Sequence, residues 1–285
     1  MWLKLGTALL ALAAVLGAIW FLNREATTMN PAAPPRAARP PEPADNAPPA
    51  AVAPDETPAA ERLKNTVVYV SDGQSLTTAD RRRVRYLAVN APADEPFAHE
   101  ATELNRQLVG LKNVQIEPCA KRPDEENGAL YAHVAVNGAS VEEGLLALGL
   151  AEPRHDPLCL ADCRKYWKLA LEAFRDRRGL FKDAAGQPTP AAVADRLLGR
   201  WGIVTGVVHD VSEAADAINV NFGDGRVAVF SFTVSRADLE QFLRDKLDPR
   251  TLVGREIEVF GKVVSSYGPR IFGVCPTQIV RVSAP

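Results

Sequence analysis

Residues 84–108 read VRYLAVNAPADEPFAHEATELNRQL. The opening VRYLAV alternates and is rich in strand-forming side chains, and Asn90-Ala91-Pro92 stops it with a turn signal. From Phe97 the period changes, and Phe97, Ala101, Leu104 and Leu108 fall on one face of a helix over 97–108. A strand that halts at Asn-Ala-Pro and gives way to an amphipathic helix points to a mixed chain. Upstream, NTVVYV at 65–70 is a second β-rich run, ended by Ser71-Asp72-Gly73. Downstream, 113–117 and 130–136 read as strands, the latter entering a turn at Asn137-Gly138. Short apolar residues 141–148 read as a helix. So do residues 162–178, with Asp162 as N-cap and Trp167, Ala170, Leu171 and Phe174 at helical spacing. Strands first, with helices between and after, predict an α+β domain of a barrel plus helices over 63–183.

The order of these pieces resembles the staphylococcal-nuclease-like (thermonuclease) domain. The matching points are Asp72-Gly73, VRYLAVNAP, Glu100-Ala101 at a helix start, Asn127-Gly128 before LYAHVAVNG, and EEGLLALGLA ahead of the helix ending RGLF. The resemblance implies an OB-type five-stranded barrel with three helices. In active members it also implies a calcium ion and two arginines holding a phosphodiester while a glutamate orients water.

Fold does not guarantee reaction, so each position matters. The family's D-G-D-[ST] turn is Asp72-Gly73-Gln74-Ser75, and its R-x-x-x-x-D-[AT]-P-E is Arg85 followed by Asn90-Ala91-Pro92-Ala93. Asp72 and Arg85 are retained. A carboxylate is lost at Gln74, the metal-binding aspartate at Asn90, the water-orienting glutamate at Ala93 and the second arginine at Ala129. Calcium needs several oxygen ligands, carboxylates among them, and two neutral amides supply far less charge. A missing guanidinium also removes a fork donor for charge building on phosphorus. No metal site and no cofactor are therefore expected. Calcium enters only under the alternative of a divergent nuclease, in which Asp94 or Glu95 replaces the lost glutamate and Asp72 with Asn90 supports a weak metal site. Arg81, Arg82, Arg83 and Arg85 form a basic run that is either solvated or phosphate-binding.

Beyond Gln187-Pro188-Thr189-Pro190 the chain enters a second unit, with 184–200 as a linker carrying a short helix over 191–198 capped by Thr189. Strand-like runs at 202–208, 217–222 and 227–234 precede a helix capped by Ser235, with Leu239, Phe242 and Leu243 on its apolar face. Runs at 256–264, 270–274 and 278–282 follow. Three strands, a helix and more strands is the order of a small OB-like barrel over 201–285. Tyr267 and Arg270 in a hairpin loop, with Lys262 and Arg226, are candidate contacts for single-stranded nucleic acid. Phe230, Phe232 and Phe260 are expected to fill the barrel.

The N-terminus addresses the compartment. Residues 5–22, LGTALLALAAVLGAIWFL, form an uncharged run that would span roughly 27 Å as a helix, near bilayer thickness. Its end, Trp20-Phe21-Leu22, suits an interface better than a cleavage site. Residues 1–24 are thus expected to be a signal-anchor, with the rest extracytoplasmic on a single-pass inner-membrane protein. Residues 25–62 follow as a Pro/Ala spacer; ten Pro and eleven Ala fill 21 of the 30 positions from 31 to 60. A formal charge of -2 excludes a bulk cationic surface for polyanions, leaving only local patches. The membrane, and beyond it an envelope protein or a nucleic acid, are the expected partners; no small-molecule cofactor is indicated.

In an oxidising compartment the four Cys are structural. Cys159 and Cys163, even with His155, are too sparse for zinc. The expected bridge is Cys159–Cys163, pinning the loop to the helix start. The family topology implies that Cys119 also lies near that start, which leaves Cys119–Cys159 and Cys119–Cys163 as rivals. The functional expectation is a membrane-anchored, non-catalytic binding module. The alternatives are a divergent metal-dependent nuclease and a non-catalytic binder of single strands.

Overall fold

Two sheets and several short helices build a mixed α+β structure in this computed structural model. It describes residues 64–121, 128–156, 159, 162–184, 186–223 and 228–283. All of them belong to one compact unit, Asp55–Pro285.

In the first sheet, β1 (Val67–Asp72), β2 (Ser75–Thr78) and β3 (Arg83–Tyr86) run antiparallel. β3 then lies parallel to β6 (Ala129–Val136), which pairs antiparallel with β5 (Gln115–Pro118). The short β7 (Ala139–Ser140) extends β6. The far edges approach each other: the Val67 N–H donates to Lys112 O at 2.9 Å, and Thr66 bridges Asn113. The sheet is therefore barrel-like, with Leu76, Val84, Tyr86 and Val134 buried inside it. A side ribbon pairs β4 (Val89–Asn90) with β8 (Glu152–Pro153). Three helices flank this sheet: α1 (Phe97–Val109), α2 (Val141–Ala147) and α3 (Arg164–Arg175). α2 is capped by Ser140, whose hydroxyl accepts the Glu143 N–H. α3 starts at Cys163 rather than Asp162, whose carboxylate instead accepts the Arg164 N–H at 2.9 Å.

The second sheet is built on the 13-residue β10 (Trp201–Glu213). Its first half pairs with β13 (Glu256–Lys262) and its second half with β11 (Ala217–Gly223). β12 (Ala228–Ser235) joins β11 antiparallel and β15 (Pro269–Gly273) parallel. β14 (Val264–Ser265) and β16 (Ile279–Val282) finish the two ends. Thr189 does not cap a helix; with Pro190 it forms β9 (Thr189–Pro190), parallel to β10, and a 3-10 segment Ala191–Leu197 follows. α4 (Leu239–Arg244) buries Phe242 but leaves Leu243 about two-fifths exposed, because a helix this short covers only one stripe. Ser235 accepts the Asp238 N–H one turn ahead of that helix. Phe222, Phe230, Phe232, Val234 and Ile271 form the core of this half.

Phe260 is buried, but not in that core. Its ring meets Trp167, Phe174 and Trp201 at centroid distances of 6.2, 5.1 and 5.3 Å, so it fills the seam between the two halves. Glu152 closes the seam, its Oε1 accepting from Trp201 Nε1 and from Lys262 Nζ, both at 2.8 Å. The expected Cys159–Cys163 bridge does not form. Cys159 pairs with Cys119, and Cys163 pairs with Cys275 across the seam. Position explains it: the Cys119 N–H donates to Tyr131 O at the end of β5, while Cys163 begins α3, which packs against the 3-10 turn following Cys275. Among the described residues no helix is long and apolar enough to cross a membrane. The expected span at 5–22 and spacer at 25–62 lie outside those residues, as do Asn127 and Arg226.

Candidate functional site

The β1–β2 turn is fixed before any ligand is considered. Asp72 Oδ1 accepts the Gln74 N–H at 2.8 Å, a local side-chain turn that short carboxylates favour. The Asp72 carbonyl accepts Asn105 Nδ2 at 2.8 Å, and Asn105 Oδ1 accepts the Tyr86 hydroxyl at 2.6 Å. Asn105 and Tyr86 are fully buried, and burial pushes the Tyr86 phenol far above its ordinary range. Gly73 is required by contact. A Cβ there would lie 2.6 Å from Ala101 Cβ and 2.8 Å from Ala91 Cβ.

Gln74 then ties this turn to the loop after β4, its Oε1 accepting the Ala91 N–H at 2.9 Å. Because the backbone N–H can only donate, the amide oxygen is the atom held there. Ser75 is the register partner of Arg85, and Gln74 O accepts the Tyr86 N–H at 2.9 Å. Asp72, Gln74, Arg85 and Asn90 are thus gathered by the β1–β2 turn, β3 and the end of β4. Asp72, Asn90, Ala93, Asp94 and Glu95 are exposed, whereas Gln74 and Arg85 are half-buried. Among the described residues no three His, Cys, Asp or Glu side chains are grouped so that they could hold a metal ion.

Cations dominate the adjoining face. Val84 and Tyr86 point into the barrel, so Arg83 and Arg85 share its outer side. Their partners on β6 are Ala129 and Tyr131. Arg154, just past β8, places its guanidinium 5.2 Å from the centre of the Tyr131 ring. The Arg154 N–H is anchored on Ala88 O at 2.8 Å. Sequence reading missed Arg154, because only the β4–β8 pairing brings it beside the loop of Asn90. Of the rest of the basic run, Arg82 is occupied by Asp80 at 2.7 Å and Asn65.

Comparison with known proteins matches residues 83–183 to the family described as Staphylococcal nuclease homologue. The chain carries a staphylococcal-nuclease-like domain. The matched stretch of this nuclease-like domain begins at β3, so the Asp72 turn lies ahead of it. Among curated proteins, endonuclease YncB of Bacillus subtilis is 36% identical over 75 residues, 24% of this chain and 36% of that protein. The SPbeta prophage-derived endonuclease YokF of the same organism is 35% identical over 75 residues, 24% of this chain and 25% of its own length. The chain therefore spans only about a third and a quarter of the lengths of these two relatives.

On the second sheet, Tyr267 is fully exposed at the tip of the β14–β15 turn, in a left-handed conformation at φ 54°. Arg270 is half-buried, its Nη1 3.5 Å from Thr233 Oγ1. Phe272, two residues on, shares that face and is half exposed, a third member that sequence reading passed over. Lys262 is held by Glu152 in the seam, its Nζ 2.8 Å from Glu152 Oε1. Tyr267 and Arg270 thus lie on the second half, and Asp72 and Arg85 on the nuclease-like half.

Proposed function

We propose that the nuclease-like domain binds a partner without cleaving phosphodiesters. The observation that carries this is the clasp at Gln74: where the family presents a carboxylate oxygen, this chain presents a neutral amide oxygen bonded to the Ala91 N–H. With Asn90, Ala93 and Ala129 at the other three positions, the donor set lacks the charge that calcium needs in exchange for its water. Each lost group is typically worth orders of magnitude in rate. Retention of Asp72 and Arg85 within an intact, hydrogen-bonded scaffold suits a surface kept for binding.

Both sheets place a helix after the third strand and join the third strand in parallel to a later one, which supports the reading of two OB-type barrels, at 63–183 and 201–285. In that reading residues 1–24 anchor the protein and 25–62 tether the barrels outside the cytoplasm. The two disulfides support such an oxidising compartment. Partners would be an envelope protein or a nucleic acid. A divergent metal-dependent nuclease is the competing reading, favoured by the names of the two relatives. A cleavage assay on single-stranded DNA and RNA with calcium or manganese separates them. No product is expected; metal-dependent product that disappears in Arg85→Ala sinks the binding reading.

A further inference from the structure

β1 and the loop after α1 leave a group of large apolar side chains uncovered. Val68, Tyr69 and Leu111 are 55%, 62% and 84% exposed. With Val70, Arg106 and Gly110 they line an open groove of about 400 Å³. A shift in the β1–β2 register between Val67 and Tyr69 lets two consecutive strand residues face solvent. Leu111 sits at φ +57°, a left-handed conformation that leucine adopts at a cost and that Gly or Asn adopts readily. Its N–H donates to Val67 O at 3.2 Å, which pins the loop to the start of β1.

Positive charge surrounds this patch. Lys112 caps α1, its Nζ donating to Gln107 O and Leu108 O at 2.7 and 2.8 Å. The β2–β3 turn reaches the same end of the sheet, where the Ala79 N–H donates to Thr66 O, and it carries Arg81 and Arg82. Lys64 adjoins Asn65, which Arg82 contacts. Of the carboxylates at this end, Asp80 already pairs with Arg82 and Glu103 with Arg106.

We infer that this end of the first barrel rests on a lipid surface bearing anionic headgroups. Leu111 and Tyr69 enter the interface, and Lys64, Arg81 and Lys112 face the headgroups. An apolar tip inserts while basic residues are drawn to negative lipid, so both the centre and the rim of the patch match that occupant. Tyrosine, apolar in its ring and polar at its tip, suits such an interface. A second copy of the chain would instead set the same basic rim against itself. The inference goes beyond the proposed anchor at 1–24 and does not require it; what it adds is orientation. β1 leads from Val67 at this end to Asp72 at the other, roughly 17 Å away at about 3.3 Å per residue. Docking therefore turns the Asp72 turn away from the bilayer.

The test places the purified full chain with nanodiscs of phosphatidylglycerol or of phosphatidylcholine, each carrying a trace of headgroup-spin-labelled lipid. Co-elution with the disc is scored first, then NMR line broadening of the Val68 and Leu111 methyl groups. In anionic discs the methyls of Val68 and Leu111 should broaden several-fold more than those of Val253 on the second half. Phosphatidylcholine or raised salt should largely remove the difference. Lys64→Gln combined with Arg81→Gln should weaken docking roughly tenfold or more, since each basic residue is attracted to anionic lipid. Leu111→Asn should abolish the broadening of Val68 while leaving the denaturant midpoint unchanged or raised, because Asn suits the left-handed backbone. Leu111→Met should keep the broadening. Co-elution confined to anionic discs and lost in Leu111→Asn supports docking and removes the anchor reading. Co-elution with both lipids but no broadening overturns docking and leaves the anchor standing, whereas co-elution with neither removes both. Broadening that is equal in the two lipids, or that survives Leu111→Asn, overturns docking. So does concentration-dependent broadening without spin-labelled lipid, which would assign the patch to a second copy.

Discussion

Glu142 has no exposed surface, and its carboxylate is answered on every side. Oε1 accepts the Val134 N–H at 3.2 Å and faces His133 Nδ1 at the same distance, while Oε2 accepts the Ser140 hydroxyl at 3.0 Å. The bond to Glu142 is the main cause that raises the His133 pKa above its ordinary value, against desolvation, which lowers it. A raised folded pKa means that the folded state holds the proton more tightly. The stabilisation is then complete below the unfolded pKa of about 6.5 and is lost as pH rises through the folded value. Glu142→Gln should bring the His133 pKa down, read by NMR titration, and flatten the fall in stability above neutral pH. Nearer the site, Tyr86→Phe strands the buried Asn105 Oδ1, a cost of about 1–3 kcal/mol by urea unfolding. None of these partnerships was legible in the sequence. Glu142 reads as an ordinary solvated residue of a short helix, and its burial follows only from β6 folding back under α2. Gln74, Asn90, Ala93 and Ala129 were singled out only through the family resemblance, which names the charged residue that active members carry at each position. The Gln74 clasp to Ala91 was not legible.

Elements with a clear period were readable: β1, β3, β6, α1 and α3 lie within a few residues of their expected spans. β2, SLTT, was overlooked, since its only deeply buried apolar residue is Leu76 and a four-residue run carries almost no period. β10 was read too short because its second half faces solvent, and polar residues there resemble a bend. Of the cysteine pairings, the rival Cys119–Cys159 forms and the favoured Cys159–Cys163 does not. Proximity along the chain misleads where the fold brings partners from 40 and 112 residues away; Cys163–Cys275 was not foreseen. Closing loops of those lengths removes unfolded-state entropy worth about 4 and about 5 kcal/mol. The Cys163→Ser, Cys275→Ser double variant should therefore lower the denaturant midpoint further than Cys119→Ser with Cys159→Ser, if native strain is equal. A larger drop for the shorter loop would contradict that entropic ordering.

At the scale of the molecule the two halves share one interior. Trp167, Phe174, Phe181, Trp201 and Phe260 form a continuous chain of ring contacts with centroids 5.1 to 6.2 Å apart, and a disulfide crosses the same seam. Tryptophan fluorescence and far-UV circular dichroism should then report one coincident unfolding transition. Phe260→Ala, expected to cost about 3–5 kcal/mol, should split it or lower it for both probes together. The seam thus joins the two halves within one compact unit. On the proposed reading, the Asp72 turn carries too little negative charge to hold a divalent cation. Isothermal calorimetry of calcium into the purified full chain tests it: no binding at micromolar concentrations is expected from Asp72 flanked by neutral amides. Micromolar calcium binding that vanishes in Asp72→Asn would contradict it.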